Sequence, residues 1–196
     1  MKTYVPVLAI ILFSSAVMAQ EQTLLSGDLD HGGFGGPTFQ LTQFDDHLGV
    51  MVGGHGGWII NHTVYLGGGG MGLVNDIEID LGPDGLRYLD FGYGGLEFGF
   101  VLASERLIHV TLSSLIGGGG VQYRSSYENG NYDFQAEGDP FFMVEPAVHV
   151  VLNVTRHFRI GLGGGYRLIR GVDLAGLSDD FLSGPNASLT LNFGRF

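Results

Sequence analysis

Apolar and polar residues alternate along eight separate stretches of the chain. In the clearest one, 107–123, the apolar residues Val110 and Leu112 alternate with the polar residues His109 and Thr111. Successive side chains of a β-strand point to opposite faces, so each stretch predicts a strand with one apolar face. About ten such residues span a bilayer as a tilted strand. The eight stretches are 37–44, 48–59, 63–74, 86–102, 107–123, 141–153, 158–169 and 186–196.

The links between these stretches alternate between short and long, apart from a brief first link at 45–47. The short links are 61–62, 103–106 and 154–157, and the long links are 75–85, 124–140 and 170–185. Bacterial outer-membrane barrels have short turns on the periplasmic side and longer loops outside. The sequence therefore predicts an all-β fold, an antiparallel up-and-down eight-stranded transmembrane β-barrel with its short turns in the periplasm.

The first 19 residues have the layout of a cleavable secretory signal peptide. Lys2 precedes an apolar run at 5–13, and the small residues Val17 and Ala19 occupy the −3 and −1 positions of a cleavage site. The apolar run is too short to cross a hydrocarbon layer of about 30 Å as a helix. We expect a signal peptide at 1–19, a glycine-rich N-terminal segment at 20–36 and the barrel at 37–196. The expected location is the outer membrane of a Gram-negative type of cell.

Composition narrows the function classes further. The chain has 35 glycines, 14 phenylalanines, 44% hydrophobic and 15% charged residues, a net charge of −11 and no cysteine. The negative charge disfavours a nucleic-acid partner. The absence of cysteine excludes structural disulfides and cysteine-based metal sites. No apolar run after residue 20 approaches 18 residues, so a closed barrel is the remaining way to span a membrane.

Glycine clusters recur about once per predicted strand, most clearly at 67–70, 117–120 and 163–165. Glycine weakens strand interiors, so the clusters need a reason. One explanation is the sharp bending and close packing of a small barrel. The other is a groove in which a ligand or lipid chain meets bare backbone. We favour the first, and no cluster has the following Lys and Ser/Thr of a phosphate-binding loop.

Three stretches of the sequence resemble parts of known proteins, the clearest being the C-terminal one. The stretch 187–196 alternates and ends in Phe196, and it resembles the terminal strand of outer-membrane barrels. That resemblance implies recognition of Phe196 by the barrel assembly machinery. Gly194 departs from the pattern, because an apolar residue is commoner there. The stretches 32–37 and 54–62 resemble uncharacterised, glycine-rich members of the small eight-stranded bacterial barrels, which implies a fold but no activity.

The polar face of the strands is predicted to line the lumen. An eight-stranded barrel has an interior just wide enough for side chains to fill. Isolated buried charges are costly, so we expect the carboxylates to pair with the arginines. The predicted polar network consists of Glu97, His109, Glu145, His149, Arg159 and Arg167. Further predicted lining residues are Gln40, His55, Tyr65, Thr111, Ser113, Thr190 and Asn192.

The residues disfavour two other chemistries. His109, Thr111 and Ser113 loosely resemble the residues of barrels that trim lipid A, but four strand residues separate His109 from Ser113 by about 13 Å. The acidic stretch 75–80 has oxygen ligands that suit Ca²⁺ but lacks the spacing of a calcium-binding loop. We therefore predict no catalytic residues, no metal site and no cofactor.

Two function classes remain. The favoured one is a non-enzymatic protein with a structural or surface-interaction role through its outer loops. The alternative is a lipid A-modifying enzyme or a narrow transport pore. The expected partners are outer-membrane lipid and lipopolysaccharide, and the sequence leaves the oligomeric state open.

Overall fold

The structure is a computed structural model that describes residues 30–81, 85–125 and 138–196. The expected signal peptide and most of the 124–140 link lie outside these residues. The elements, in chain order, are β1 (His31–Phe44), β2 (His47–Ile60), β3 (Val64–Leu73), β4 (Glu78–Asp80), β5 (Leu86–Leu102), β6 (Ile108–Ser125), β7 (Asp139–Thr155), β8 (Phe158–Arg170), α1 (Asp179–Leu182) and β9 (Gly184–Arg195).

Eight of the strands close into an antiparallel barrel. The hydrogen-bonded order is β3-β2-β1-β9-β8-β7-β6-β5, and pairing of β3 with β5 completes the ring. The short β4 pairs with the beginning of β5. All eight predicted stretches are strands, so the predicted fold class is confirmed. β1 begins at His31 rather than at residue 37, since its glycine run pairs with β2 although it carries no alternating pattern.

The barrel has two different ends. The turn end carries the links at 61–63, 103–107 and 156–157, and the loop end carries the longer links. Two of the loop-end links contain structure that the sequence analysis did not predict, namely β4 and α1. In α1, the Ser178 hydroxyl caps the helix by accepting a hydrogen bond from the Phe181 N–H. No helix in the described ranges is long and apolar enough to cross a membrane.

The outward face of the barrel is an apolar belt. Leu66 and Phe100, on neighbouring strands, are each 54% exposed. Exposed apolar area of this extent is unfavourable in water and is what the hydrocarbon core of a bilayer accommodates. The belt includes Phe39, Leu41, Leu66, Leu96, Phe98, Phe100, Leu112, Phe142, Val148, Val150, Leu162 and Leu168.

The inward face is apolar in its loop-end half, which differs from the expectation of a polar lumen. On β5 the inward positions change from Glu97 near the turn end to Phe91 and Leu89 near the loop end. Leu182 of α1 packs on these side chains and closes the barrel at this end. We call this cluster the plug; it comprises Phe44, Met51, Leu89, Phe91, Val121, Phe141, Met143, Ile169 and Leu182.

Inward glycines lie under the large side chains that fill the lumen. A Cβ at Gly49 would lie 2.4 Å from the Phe44 ring, and a Cβ at Gly99 would lie 2.4 Å from the Tyr65 ring. Both distances are far below van der Waals contact. Glycines of the predicted clusters pack in the same way, since a Cβ at Gly163 would lie 2.3 Å from the His149 ring and one at Gly119 would lie 2.6 Å from the Phe141 ring.

Candidate functional site: the polar half of the lumen

The turn-end half of the lumen holds a hydrogen-bonded group centred on Glu97. Its Oε2 lies 2.9 Å from Nδ1 of His55, and the Tyr65 hydroxyl donates to its Oε1 at 2.7 Å. The other ring nitrogen of His55 lies 2.7 Å from Oδ1 of Asn192. Both ring nitrogens of His55 thus face oxygen atoms, an arrangement that suits a protonated imidazole beside a carboxylate.

Glu145 is held by a second group, one level nearer the plug. The Tyr93 hydroxyl donates to its Oε2 at 2.7 Å, and the Gln40 side-chain amide donates to its Oε1 at 2.9 Å. Tyr93 and Gln40 also approach each other at 3.0 Å. These bonds join β1, β5 and β7 across the lumen, so the carboxylate fastens three separated strands.

The arginines form no direct salt bridge with these carboxylates in the described ranges, although the charges of Arg167 and Glu145 act on each other. Arg167 is fully buried and donates from Nε to the Leu182 carbonyl at 2.8 Å. Its guanidinium also lies over the ring of Phe44, 4.4 Å from the centroid. Arg167 therefore belongs to the plug, where aromatic faces compensate part of its charge.

Arg159 lies at the opposite end of the lumen from the plug. Its guanidinium is 3.9 Å from the centroid of the Phe196 ring, and that ring stacks on Phe34 with centroids 6.0 Å apart. Arg159 is half-buried and forms no ion pair with any described residue. It is a cation at the mouth of the barrel rather than a member of the buried network.

The remaining predicted histidines have different surroundings. His149 contacts the Ser188 hydroxyl at 3.0 Å. His109 is 3% exposed, and its buried Nδ1 has no hydrogen-bond partner in the described structure. In the described structure, His109 makes no side-chain hydrogen bond with Thr111 or Ser113, so these three residues do not form a catalytic relay.

Three spaces follow one another along the lumen from the turn end. An open vestibule of about 590 Å³ leads to a chamber of about 40 Å³, and a second chamber of about 60 Å³ lies beyond it. Arg159 and Phe196 line both the vestibule and the first chamber. His55, Glu97 and His149 line both chambers and separate them. Because the plug lies above the second chamber, the lumen is a tube that is closed at the loop end.

Metal binding is not favoured by this geometry. Within the described ranges, no three histidine or carboxylate side chains converge as ligands. His55 and Glu97 already use their polar atoms on each other and on neighbouring side chains.

Sequence reasoning missed two residues of the site, Tyr93 and Ser188. Tyr93 lies two inward positions from Glu97 on β5, so the alternation could have placed it in the lumen. Ser188 is inward by the same argument on β9, between Asn186 and Thr190. The local sequence does not show which residues on other strands they contact, so those contacts could not be predicted.

The comparison with solved structures agrees with this architecture. The N-terminal β-barrel domain of Pseudomonas aeruginosa OprF is 9% identical, with a TM-score of 0.53 over 84% of this chain and 96% of that chain. Neisserial surface protein A is 10% identical, with a TM-score of 0.57 over 86% of this chain and 99% of that chain. No protein-family model matches the sequence, and no curated protein matches it significantly.

These similarities define a class of fold. The chain is a closed, antiparallel eight-stranded β-barrel of the small outer-membrane type. It is similar in this respect to the OprF barrel domain and to Neisserial surface protein A. Because the sequence identities are 9% and 10%, these similarities show the fold alone.

Proposed function

We propose that the protein is a non-enzymatic, non-conducting barrel of the outer membrane that acts through its loop end. The observation that carries this proposal is the plug. Nine tightly packed apolar side chains and the buried Arg167 fill the loop-end half of the lumen. A pore needs a continuous polar path, and the plug interrupts it.

An outer-membrane location is supported by the outward belt. Apolar side chains cover the barrel wall between the two ends, and an arginine placed in such a belt costs about 2–4 kcal/mol at the bilayer midplane. β9 supports assembly by the outer-membrane machinery, because Leu189 and Phe193 point outward near its end and Phe196 follows them.

The polar side chains of the lumen support a structural role. Glu97 and Glu145 each have a hydrogen-bond partner on both carboxylate oxygens, and these bonds join separate strands. Among the described residues, the contact of His149 with Ser188 is the feature that favours a hydrolase. It faces a chamber of about 60 Å³, which has no space for a lipid A molecule, and the Glu97 carboxylate is hydrogen-bonded to His55 instead.

The loop end offers a built surface for interaction. Arg124 pairs with Asp76 at 2.9 Å, and Arg167 of β8 donates to the Leu182 carbonyl at 2.8 Å, so two of the loops are tied to the barrel. The described loop end is rich in acids, including the neighbours Asp179 and Asp180. Such a surface would approach the phosphates of lipopolysaccharide through bridging divalent cations.

The proposal is tested by measuring conduction, lipid chemistry and surface binding on the same preparation. The wild type should give no channel steps in planar bilayers, whereas Phe44→Ala combined with Phe91→Ala should open a leak. Lipid A from cells with the wild type or with Ser188→Ala should have the same mass. Stepwise conduction by the wild type, or a lipid A mass change that Ser188→Ala abolishes, would contradict the proposal.

A separate experiment tests whether the loop end binds lipopolysaccharide. Replacement of Asp173, Asp179 and Asp180 by asparagine should abolish binding of lipopolysaccharide to the protein in nanodiscs in the presence of Mg²⁺. Heat-modifiable gel mobility should remain, because Leu182 and the barrel strands are unchanged. Undiminished Mg²⁺-dependent binding would show that the loop end is not the interaction surface.

A further inference from the structure

The Phe196 side chain lies inside the barrel at the turn end. Alternation along β9 places Asn192 on the inward face and Phe193 on the outward face, where Phe193 is 52% exposed. Phe196 follows in the inward phase, and its half-buried ring lines the lumen rather than the lipid-facing belt. An aromatic ring in the mouth of a polar lumen calls for a physical reason, because the apolar belt is the more favourable place for it.

Contacts from two neighbouring strands hold this ring in place. The guanidinium of Arg159, on β8, lies 3.9 Å from the centroid of the Phe196 ring. The ring of Phe34, on β1, stacks on the Phe196 ring at an interplanar angle of 27°, with centroids 6.0 Å apart. Phe34 in turn meets the Tyr65 ring edge-on, with centroids 5.1 Å apart. A cation–π contact and an aromatic pair therefore attach the Phe196 ring to the two strands that flank β9.

The ring lies between two spaces of very different size. Phe196 and Arg159 line both the open vestibule of about 590 Å³ and the first chamber of about 40 Å³. His55 and Glu97 line that chamber and the second one beyond it. Because the plug closes the loop end, the route to these polar side chains in the described structure passes the Phe196 ring. The vestibule has room for a displaced phenyl ring.

We propose that the Phe196 ring is a lid on the lumen, held shut by Arg159 and opened by rotation of the ring into the vestibule. In the closed arrangement, the lid separates the polar group around Glu97 from the solvent at the turn end. Cation–π contacts and aromatic pairs are weak enough to break reversibly, so the open arrangement is a minor population in exchange with the closed one. Water and small solutes reach the first chamber at a rate that lid opening sets. The lid lies at the opposite end from the plug and does not depend on the role proposed for the loop end.

Single cysteines can report on the lid, because the sequence has no cysteine of its own. Thr111→Cys places a thiol in the wall of the first chamber, and Ser104→Cys places one in the vestibule, outside the lid. Each protein in nanodiscs is treated with methyl methanethiosulfonate, a small uncharged thiol reagent, and modification is followed by mass spectrometry. Phe196→Ala should accelerate modification in the Thr111→Cys background by about tenfold or more, and in the Ser104→Cys background by less than about twofold.

Further variants separate the lid from general loosening of the end of β9. Phe193→Ala is the matched control, since it removes the same side chain from the outward face of the same strand. It should change the modification rate in the Thr111→Cys background by less than about twofold. Phe196→Tyr should retain the slow rate, because it keeps the ring. Arg159→Gln should accelerate modification, because it removes the cation that lies over the ring.

Heat-modifiable mobility checks that each variant is folded, and Arg159→Gln carries the test if Phe196→Ala does not fold. Acceleration confined to the Phe196→Ala and Arg159→Gln variants would support the lid. An unchanged modification rate in both variants would overturn the proposal. So would equal acceleration by Phe193→Ala and Phe196→Ala, because loss of packing at the end of β9 would then explain the access of the reagent.

Discussion

Adding one methyl group at Gly49 should destabilise the barrel through the plug. A Cβ at this position would lie 2.4 and 2.8 Å from two atoms of the Phe44 ring and 3.1 Å from a methyl group of Thr42. Phe44 is fully buried, with the Phe91 ring 5.2 Å away and the Arg167 guanidinium 4.4 Å away. The ring therefore has no free volume into which to move.

Overpacking a well-packed core costs about 1–3 kcal/mol, so Gly49→Ala should lower the free energy of unfolding by roughly 2 kcal/mol. Gly72→Ala is the matched control, because a Cβ there would meet nothing within 4 Å. It should change stability by less than about 0.5 kcal/mol, since a compatible Gly→Ala change acts mainly on the unfolded chain.

A double-mutant cycle identifies the cause. Phe44→Leu shortens the side chain that the new methyl group meets, so Gly49→Ala should cost less in that background than in the wild type. The measurement is urea unfolding in lipid vesicles, followed by tryptophan fluorescence and gel mobility. Equal losses for Gly49→Ala and Gly72→Ala, or no coupling with Phe44→Leu, would refute the role assigned to the inward glycines.

Three further predictions follow from the strand faces and ends. Protease added to intact cells should cut within 124–140 or 170–185 and spare 103–106; cleavage of the short turn would reverse the assigned orientation. Leu112→Arg should cost about 2–4 kcal/mol, as measured by vesicle unfolding, because it places a charge in the lipid-facing belt. Glu97→Gln should lower stability by about 2 kcal/mol, because it weakens charge-assisted hydrogen bonds across the lumen, and an unchanged urea midpoint would contradict that role.

The strands could be predicted from sequence because alternation is a local property. On β6 the polar His109 and Thr111 and the apolar Val110 and Leu112 show which face each side chain takes, without knowledge of neighbouring strands. The glycine run at the start of β1 has no such contrast, and the boundary placed at residue 37 was late for this reason.

Partners across the lumen could not be predicted in the same way. Alternation assigns Glu145 to the inside but does not give the stagger of β7 relative to β1 and β5. That stagger brings Gln40 and Tyr93 to the carboxylate, over separations of 105 and 52 residues. Opposite charge suggested Arg159 as the partner, whereas closure of the barrel places Arg159 at the mouth, beside Phe196.

The two halves of the lumen differ in character: the loop-end half is a packed apolar plug, and the turn-end half is polar and open. In the loop-end half, the plug holds α1 through Leu182 and the Arg167 bond to its carbonyl, so the last loop is fastened to the barrel interior. A surface that binds a partner without reordering its loops benefits from such support, because less conformational entropy is lost on binding. In the turn-end half, the half-buried Arg159 lies beside the open vestibule. Any ligand of the lumen must therefore enter from the turn end, while any partner of the loops meets a surface that the plug separates from that ligand.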